Sequence, residues 1–451
     1  MCSETSKNNV DYKNTLSLPE TDFPMRAGLP TREPVWLEHW EKLDVYNTLR
    51  KRTGRKSFIL HDGPPYANGN LHIGHALNKI LKDMVVRSQQ MLGNDAPYIP
   101  GWDCHGLPIE WKIEEKYRQK GKDKDDIPII DFRQECRNFA SDWVKIQKKE
   151  FKRLGVMGNW ENPYLTMDFS AEAVIAEEFQ KFLMNGALFQ GSKPVMWSPV
   201  EKTALAEAEI EYHDHKSDTI WVPFKITRGS KALENVKIVI WTTTPWTIPS
   251  NKAIAYNKDI SYGIYVVKET QQESWTKVND LYVIANSLAE ETLTKARVTK
   301  FQKIQNVNND ELNEAICSHP FNALQDAHGF WDYDVPIIEG DHVTEEAGTG
   351  FVHTAPSHGA DDYDCFVKRG WIDRLTHNIG EASEFLSHVP FFADLKIFNH
   401  KGKEGDANKA VINKLVEADS LIARGRLIHS YPHSWRSKAP VIFRNTPQWF
   451  A

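Results

Sequence analysis

Apolar and polar positions follow a strand, turn and helix order along the stretch from Lys56 to Gly93. A short apolar run, FIL, precedes the glycine- and proline-rich turn HDGPPYANGN. From Ile73 onward the apolar side chains recur every three or four residues on one side, and Gly93 is a typical stop signal. Basic residues such as Lys79 lie on other sides of this segment. The pattern predicts a strand, a tight turn and a helix that begins near Ile73.

The same order repeats immediately afterwards. Tyr98 and Ile99 form a second short apolar run, Pro100 and Gly101 end it, and Pro108 suits the first turn of a following helix. Because strands and helices alternate, we predict a parallel sheet in this part of the chain.

A longer helix is predicted from about Asp131 to Leu154, where Phe132, Phe139 and Trp143 share a helical spacing with other apolar residues. Most basic side chains of the segment lie off that stripe: Lys145, Lys148, Lys149, Lys152 and Arg153. A solvated helix face is one interpretation of these residues, and contact with a phosphate backbone is the other.

The two ends of the chain differ from this α/β pattern. Residues 1–50 begin polar and then carry an amphipathic stretch around Trp36 and Trp40, which predicts an extension packed on the main body. After about Pro199 the chain becomes rich in short β-type runs separated by polar turns, such as Val236 to Trp241. This change predicts a separate β-rich domain of nearly 200 residues.

Composition narrows the class of protein. With 41% hydrophobic and 26% charged residues, the 451-residue chain has the composition of a globular protein. No apolar run approaches the roughly 18 residues that a membrane span needs, and the start lacks the features of a signal peptide, so we expect a cytoplasmic protein without membrane contact. The net charge of −6 argues against nonspecific coating of nucleic acid. Five scattered cysteines without a CxxC pair predict free thiols.

The sequence LHIGH at the predicted helix start has the chemistry of an anion site. A helix start presents unpaired backbone N–H groups, for which phosphate is a common ligand. Gly69 and Gly74 allow close approach to the backbone, and His72 and His75 can donate hydrogen bonds to oxygens that gain charge in a transition state. Two histidines at this spacing are, taken alone, more often structural or metal-binding than catalytic.

The stretch HDGPPYANGNLHIGHALNKILKD, followed by PYIPGWDCHGLPIE, closely resembles the nucleotide-binding signature of class I aminoacyl-tRNA synthetases, the bacterial isoleucyl branch in particular. The resemblance implies that His72, Ile73, Gly74 and His75 form the HIGH motif of that family. This motif binds ATP and stabilises the α-phosphorus while a carboxylate attacks it. The residues implied in ATP binding are Gly69, Asn70, His72, Gly74 and His75, with His72 and His75 as the catalytic pair.

The same resemblance implies an isoleucine site. Asp103 would bind the α-ammonium group of the amino acid, and His105 and Gly106 would lie near the adenylate. Without the resemblance, Asp103 could equally be a turn residue after Gly101. Gly63 and Pro64 would line the side-chain pocket, and Trp449 would close it.

Two further stretches, WTTTPWTIPSN and GTGFVHTAPSHGADDY, resemble the signatures of the editing (CP1) domain of isoleucyl, valyl and leucyl enzymes. By composition alone, the threonine run is ordinary β-strand sequence and the second stretch could suggest a metal site, although the resemblance accounts for it without one. It implies that Thr242, Thr243 and Thr244 position the ester of a mischarged tRNA, that Asp362 anchors its amino group and that His353 helps exclude isoleucine. Editing is needed because an isoleucine pocket admits valine, which loses only about 1 to 3 kcal/mol, a value already known for enzymes of this kind.

The implied fold is α/β: a Rossmann-like parallel-sheet catalytic domain interrupted by a β-rich editing domain. The implied regions are an N-terminal extension (1–50), the first half of the catalytic domain (51–199), the editing domain (200–395) and a return connection with the start of the second half (396–451). The second ATP motif of the family, KMSKS, does not occur in these 451 residues, so we expect an N-terminal portion of a longer enzyme.

The implied activity is ATP-dependent, Mg²⁺-assisted activation of isoleucine and its transfer to tRNA(Ile), with hydrolysis of valyl-tRNA(Ile), by a monomer. Some relatives bind zinc through cysteines where this chain has Ser198, Ser434 and Ser437, so no metal is expected in this portion. Three alternatives stay open: a valyl or leucyl enzyme, a chain that retains only the editing hydrolase, and a nonfunctional truncation.

Overall fold

The computed structural model describes residues 11–17, 21–22 and 26–451. The chain divides into two compact units, Met1–Lys181 and Phe182–Ala451. The predicted domain boundaries at 50/51, 199/200 and 395/396 remain predictions. Among the residues that the structure describes, no helix is both long enough and apolar enough to cross a membrane.

Helices dominate the first unit, and the last of them extends three residues beyond its boundary. They are α1 (Leu29–Lys42), α2 (Val45–Arg50), α3 (Ile73–Met91), α4 (Leu107–Gln119), α5 (Ile129–Arg153) and α6 (Phe169–Met184). The predicted start of α3 at Ile73 is confirmed, and α5 lies within two residues of its predicted range. Pro108 occupies the first turn of α4 as expected.

The sheet of the first unit is shorter than predicted. Its only two described strands, β1 (Gly101–Trp102) and β2 (Tyr164–Leu165), pair in parallel. The predicted strands at 58–60 and 98–99 were wrong: neither segment belongs to a regular ladder. Pro97 and Pro100 lack the N–H donors that a ladder around Tyr98 needs. Isolated parallel bridges, such as Tyr66 with Asp103, keep the predicted parallel direction.

Helix α3 packs differently from an ordinary amphipathic helix. Lys79 and Val86 are buried, whereas Ile73, Leu77 and Met84 on its apolar side are largely exposed. Lys79 can be buried because its ammonium group forms an ion pair with the buried Asp62. Among the residues of the first unit that the structure describes, no element covers the side chains of Ile73, Leu77 and Met84.

Helix α1 of the predicted N-terminal extension packs on the rest of the first unit, as predicted, whereas residues 1–10, 18–20 and 23–25 of the extension lie outside the described residues. The guanidinium of Arg87 lies 5.2 Å from the ring centre of Trp40 on α1. Two basic residues of α5 form ion pairs with the same helix, Lys152 with Glu41 at 3.1 Å and Arg153 with Glu33 at 2.8 Å.

The second unit is rich in β-structure, as predicted. Its strands are β3 (Phe189–Ser198), β4 (Thr203–Ala204), β5 (Ile210–Arg228), β6 (Lys237–Thr242), β7 (Ala253–Tyr256), β8 (Tyr262–Thr270), β9 (Leu281–Ala285), β10 (Val298–Val307), β11 (Ile316–Ser318), β12 (Asp334–Glu339), β13 (Phe351–Thr354), β14 (Ala423–Ser434) and β15 (Ile442–Phe450). Its helices are α7 (Ala289–Lys295), α8 (Asn309–Glu314), α9 (Ala360–Lys368) and α10 (Ala407–Glu417).

Ten of these strands form one mixed sheet in the order β10-β8-β9-β6-β13-β7-β12-β11-β5-β14. Because β5 also pairs with β6, six of the strands form a closed ring of pairings around a large apolar core. Because the ring is closed, each of its six strands has a hydrogen-bonding partner strand on both sides. Strands β15, β3 and β4 form a separate small antiparallel sheet, in the order β15-β3-β4.

Candidate functional site

The start of α3 fixes the positions of both histidines of the LHIGH sequence. His72 is the residue before the first turn, and its ring Nδ1 accepts a hydrogen bond from the Gly74 N–H at 3.1 Å. The Nδ1 of His75 accepts one from the His72 N–H at 3.3 Å. Because both Nδ1 atoms accept, the neutral rings carry their protons on Nε2. Among the described residues neither Nε2 has a partner, so both can donate to a ligand.

The protonation of His75 is controlled by its surroundings. Burial lowers its pKa below the usual value, and the nearby His72 and Lys79 lower it further. The ring centres of His72 and His75 lie only 3.9 Å apart. A neutral His75 donates through Nε2 without repelling a cation bound close by.

Two glycines permit this arrangement. A Cβ on Gly74 would lie 2.9 Å from Cε1 of His72, so any larger residue would displace the ring. Gly69 has φ +82°, a left-handed backbone that favours glycine, and nothing lies within 4 Å of its missing Cβ. The space beside Gly69 is therefore open to a ligand. A separate cleft of about 750 Å³ adjoins His72 on the side of α5.

Two residues of α5 hold the turn before the histidines, and sequence reasoning missed both. The carboxylate of Glu150 accepts hydrogen bonds from the Asn70 side chain at 2.6 Å and from the Leu71 N–H at 2.9 Å. The amide of Gln147 donates to the Gly69 carbonyl at 2.7 Å. No sequence pattern links these residues, since about 80 positions separate the partners.

A buried charged cluster anchors α3 from the other side. The carboxylate of Asp62 accepts hydrogen bonds from Lys79, Lys82 and the hydroxyl of Tyr98. Burial opposes ionisation of Asp62, but these three donors outweigh it and lower the pKa of the carboxyl. This cluster ties the chain just before Gly63 and Pro64 to the middle of α3.

Asp103, His105 and Gly106 lie in one turn between β1 and α4. The carboxylate of Asp103 accepts the His105 N–H at 3.2 Å, and the backbone of Asp103 pairs with that of Tyr66. Gly106, with φ +80°, is the residue before α4. His105 Nε2 lies 3.1 Å from a carboxylate oxygen of Glu172. This contact suits a turn residue, and in the part of the chain that the structure describes the second carboxylate oxygen of Asp103 has no hydrogen-bond partner.

Trp449 lies on β15 of the second unit and is 57% exposed, whereas the other residues assigned to the isoleucine site lie in the first unit. Its place beside isoleucine stays a prediction.

The second unit brings the threonine run and His353 into one hydrogen-bonded chain. The hydroxyl oxygens of Thr242 and Thr244 lie 3.1 Å apart, and those of Thr244 and Thr247 lie 3.3 Å apart. Thr247 Oγ1 lies 2.9 Å from Nε2 of His353 and donates to the Thr244 carbonyl at 2.8 Å. Thr243 is partly exposed beside this chain.

His353 is buried, uncharged and fixed in orientation. Its Nδ1 accepts from the Asn251 side chain at 2.7 Å, which leaves Nε2–H to donate to Thr247. Burial, together with the nearby His358, lowers its pKa to about 3. Thr247 and Asn251, both within the WTTTPWTIPSN stretch, were not singled out from the sequence, although they hold the histidine.

Asp362 lies in the first turn of α9, joined to the strand that carries His353. Its Oδ2 accepts the Ala355 N–H at 2.8 Å, two residues beyond His353. Burial raises the pKa of Asp362 to about 7; that hydrogen bond lowers it and the neighbouring Asp361 raises it. Among the described residues Oδ1 has no partner. A cationic group there would both pair with the carboxylate and favour its ionised form.

The described residues contain no cluster of three or more His, Cys, Asp or Glu side chains with metal-binding geometry. His358 does not join His353 and Asp362 at one point; it bonds the Phe443 carbonyl at 3.0 Å and Ser250 at 3.2 Å. Cys104, Cys136, Cys317 and Cys365 are free thiols, as predicted, and Cys2 lies outside the described residues.

The serines at 198, 434 and 437 surround a buried glutamate. The hydroxyl of Ser434 donates to Oε1 of Glu201 at 2.6 Å, and the Ser437 N–H donates to the same oxygen at 3.1 Å. The Ser198 hydroxyl accepts the Glu201 N–H at 3.3 Å. These hard oxygen atoms and one carboxylate do not match the thiolate and imidazole set that zinc prefers.

A family model and several curated relatives all match this chain to tRNA synthetases. The model of the family described as tRNA synthetases class I (I, L, M and V) matches residues 35–451. A protein of Ruegeria pomeroyi named isoleucine–tRNA ligase is 57% identical over 100% of this chain and 46% of its own length. Proteins of the same name from Rhodopseudomonas palustris (53%, 99% of this chain) and Caulobacter vibrioides (54%, 98% of this chain) also match over 46% of their lengths. The chain therefore spans about half the length of these relatives.

Proposed function

This chain belongs to the class I tRNA synthetase family, and from that premise we propose that it is part of an isoleucine–tRNA ligase that carries half of the adenylation site and a complete hydrolytic editing pocket. Relatives that bear this name, at 57% and 53% identity, support isoleucine over valine or leucine as the substrate. The enzyme acts on isoleucine, ATP and tRNA(Ile) in the cytoplasm, as a monomer.

In the first unit, His72 and His75 stabilise the transition state of adenylate formation. Their Nε2–H groups donate to phosphate oxygens while the carboxylate of isoleucine displaces pyrophosphate at the α-phosphorus. Gly69 and Asn70 bind ATP beside them, and Gly74 leaves room for the His72 ring. The capping hydrogen bonds support this role because they orient both donors before the ligand arrives.

The donor groups at this helix start suit phosphate oxygens and not a metal ion. Amide and imidazole N–H groups are donors, whereas Mg²⁺ prefers oxygen ligands. Mg²⁺ bound by the triphosphate and water would reduce the negative charge that these donors meet.

Asp103 binds the α-ammonium group of isoleucine through the carboxylate oxygen that its own turn does not use. His105 and Gly106 lie next to the adenylate, and Gly63 and Pro64 line the side-chain pocket. The carboxylate and the ammonium group offset each other's desolvation.

In the second unit, water hydrolyses the ester of valyl-tRNA(Ile). Thr242, Thr243 and Thr244 bind the terminal ribose and the ester through hydroxyl groups. Asp362 binds the α-ammonium group, and the buried ring of His353 limits the space so that isoleucine does not fit. The observation that carries this proposal is the hydrogen-bonded chain from Thr242 through Thr244, Thr247 and His353 to Asn251, together with Asp362, which binds the backbone two residues beyond His353.

Isoleucine-dependent exchange of labelled pyrophosphate into ATP tests the adenylation half. We would compare the 451-residue chain, a full-length relative and the same relative with both histidines of its HIGH motif changed to alanine. The proposal requires exchange by the relative and loss of about 10² to 10³-fold or more in the double variant. Exchange that depends on valine or leucine instead would contradict the assignment of isoleucine.

A second candidate is that this chain alone acts only as an editing hydrolase. The division into two units favours it, because every residue assigned to editing lies in Phe182–Ala451. In that case the 451-residue chain deacylates valyl-tRNA(Ile) but shows no pyrophosphate exchange.

A further inference from the structure

The second unit carries a groove with an unusual concentration of positive charge. It encloses about 540 Å³ and is lined by Glu273, Trp275, Lys295, Arg297 and residues 422–426. Four cationic side chains meet there, on a chain whose net charge is −6. We refer to it as the basic groove.

One wall of the basic groove is the loop after β8. The Ser274 hydroxyl donates to the Ala296 carbonyl at 2.8 Å, and the Gln271 N–H donates to the Arg297 carbonyl at 2.8 Å. These bonds fix the loop against the end of α7, which carries Lys295. Arg297 reaches a carboxylate of Glu273 at 3.6 Å, and for Lys295 the described residues provide no ion-pair partner.

The other wall is the first part of β14. Arg424 and Arg426 lie two residues apart and therefore point to the same face of the strand. Both guanidinium groups contact the same carboxylate, that of Asp218 on β5, at 3.2 Å. The Asp218 carboxylate contacts one nitrogen of each guanidinium group. It therefore orients the two arginines and leaves their other N–H groups for a ligand.

The groove also offers an aromatic surface. Trp275 is 42% exposed, and no ring or cation packs on its indole among the described residues. An exposed indole facing several cations is the combination with which proteins bind single-stranded nucleic acid: bases stack on the ring and phosphates pair with the cations. An acidic peptide would use the cations but has no need of the indole.

We propose that the basic groove binds a single-stranded segment of RNA, with phosphates between Lys295, Arg297, Arg424 and Arg426 and a base on Trp275. The proposal deepens the proposed function, because a tRNA substrate would bring such a segment to the unit that holds the editing pocket. The groove shares no residue with that pocket, so it is a distinct contact for the RNA.

The test is the affinity of the 451-residue chain for fluorescein-labelled tRNA(Ile) and for a labelled single-stranded RNA of about 12 nucleotides, by anisotropy at about 50 to 200 mM salt. The double variant Lys295→Gln, Arg426→Gln removes one cation from each wall and leaves Arg424 on Asp218. We expect binding to weaken about 10-fold or more at low salt and the salt slope to fall by about 1.5. Trp275→Ala should weaken binding about 5- to 100-fold with little change of slope.

The matched control is Lys231→Gln, Lys300→Gln, which removes two exposed cations of the same unit outside the groove and should leave affinity within about twofold. The proposal is overturned if the control weakens binding as much as the groove variant, or if the groove variant binds normally. It is also overturned if poly-glutamate competes as well as RNA and Trp275→Ala has no effect, since the groove would then be a site for acidic protein. Deacylation of valyl-tRNA in the same samples separates the two proposals: RNA binding through the groove without deacylation contradicts only the editing function.

Discussion

The carboxyl group of Asp362 has a pKa of about 7, raised by burial, so its charge changes within the physiological range of pH. A carboxylate must be ionised to hold an ammonium group. Hydrolysis of valyl-tRNA at subsaturating substrate should therefore rise roughly tenfold between about pH 6 and 8 and then level off.

Asp362→Asn should lower the rate and abolish this rise, after subtraction of the uncatalysed hydrolysis at each pH. Asp361→Asn is the matched control, because it changes the neighbouring exposed carboxylate in the same turn. It should keep the rise and move it to lower pH, since Asp361 raises the pKa of Asp362. A rise that survives in Asp362→Asn would show that another group titrates.

Positions that depend on local sequence were predictable, and contacts that depend on a distant partner were not. His72 and the helix start at Ile73 share one segment, so the pattern of turn and apolar spacing indicated both. Glu150 supports Asn70 from another helix, and neither residue type nor spacing reveals that pairing. Lys79 was likewise placed off the apolar stripe, although Asp62 allows it to be buried.

At the scale of elements, the turn before α3 depends on α5. Glu150 holds both the Asn70 side chain and the Leu71 N–H, and because these bonds are exposed and partly buried respectively, together they contribute about 1 to 3 kcal/mol. Glu150→Ala should lower the free energy of unfolding by about 1 to 3 kcal/mol and speed hydrogen exchange of the Leu71 amide. Lys149→Ala, an exposed neighbour, is the control. Equal exchange rates in both variants would contradict the role of Glu150.

Buried histidines make the second unit sensitive to acid. Burial lowers the pKa of His319 and of His353 to about 3 and that of His358 to about 4, against about 6.5 in the unfolded chain. Between those values the unfolded state binds protons that the folded state does not. The histidines therefore contribute stability that is fully present above about pH 6.5 and is lost as pH decreases towards about 3, by up to about 1.4 kcal/mol per histidine and pH unit. Asp362, whose pKa burial raises to about 7, contributes one such slope of the opposite sign between about pH 4 and 7.

Denaturant unfolding at several pH values between about 4 and 7 checks this slope. His319→Gln removes one buried titrating ring outside the editing pocket and should reduce the slope by up to about 1.4 kcal/mol per pH unit, even if it destabilises the fold. His400→Gln, at an exposed position, is the control. An unchanged slope in His319→Gln would contradict the buried neutral state.

The short strands show why the fold was only partly predictable. Apolar runs at 58–60 and 98–99 indicated strands, yet prolines beside Tyr98 interrupt the ladder and only two-residue strands form at 101–102 and 164–165. In the second unit the predicted run Val236 to Trp241 matches β6 closely. The closed ring was not predictable, because its closure depends on two non-sequential pairings, of β5 with β11 and of β7 with β12.

At the scale of the whole molecule, the exposed apolar side chains of α3 and α6 are expected to determine how strongly the chain binds hydrophobic dyes. No side chain of α6 is buried, and Phe169, Ile175 and Phe179 are each about half exposed or more. We expect this chain to bind a hydrophobic dye strongly while its second unit unfolds cooperatively. Ile175→Ser with Phe179→Ser should reduce the dye signal and leave deacylation unchanged. Dye binding that the substitutions do not alter would indicate loose packing elsewhere.

The decisive measurement is the rate at which the 451-residue chain hydrolyses valyl-tRNA(Ile) and isoleucyl-tRNA(Ile), for the wild type, Asp362→Ala and the control Asp361→Asn. We predict that the wild type and the control clear the valyl ester at least about 10-fold faster than the isoleucyl ester, and that Asp362→Ala loses this activity by about 10²-fold or more. Equal hydrolysis of both esters, or full activity in Asp362→Ala, would contradict an editing pocket built around the threonine run, His353 and Asp362.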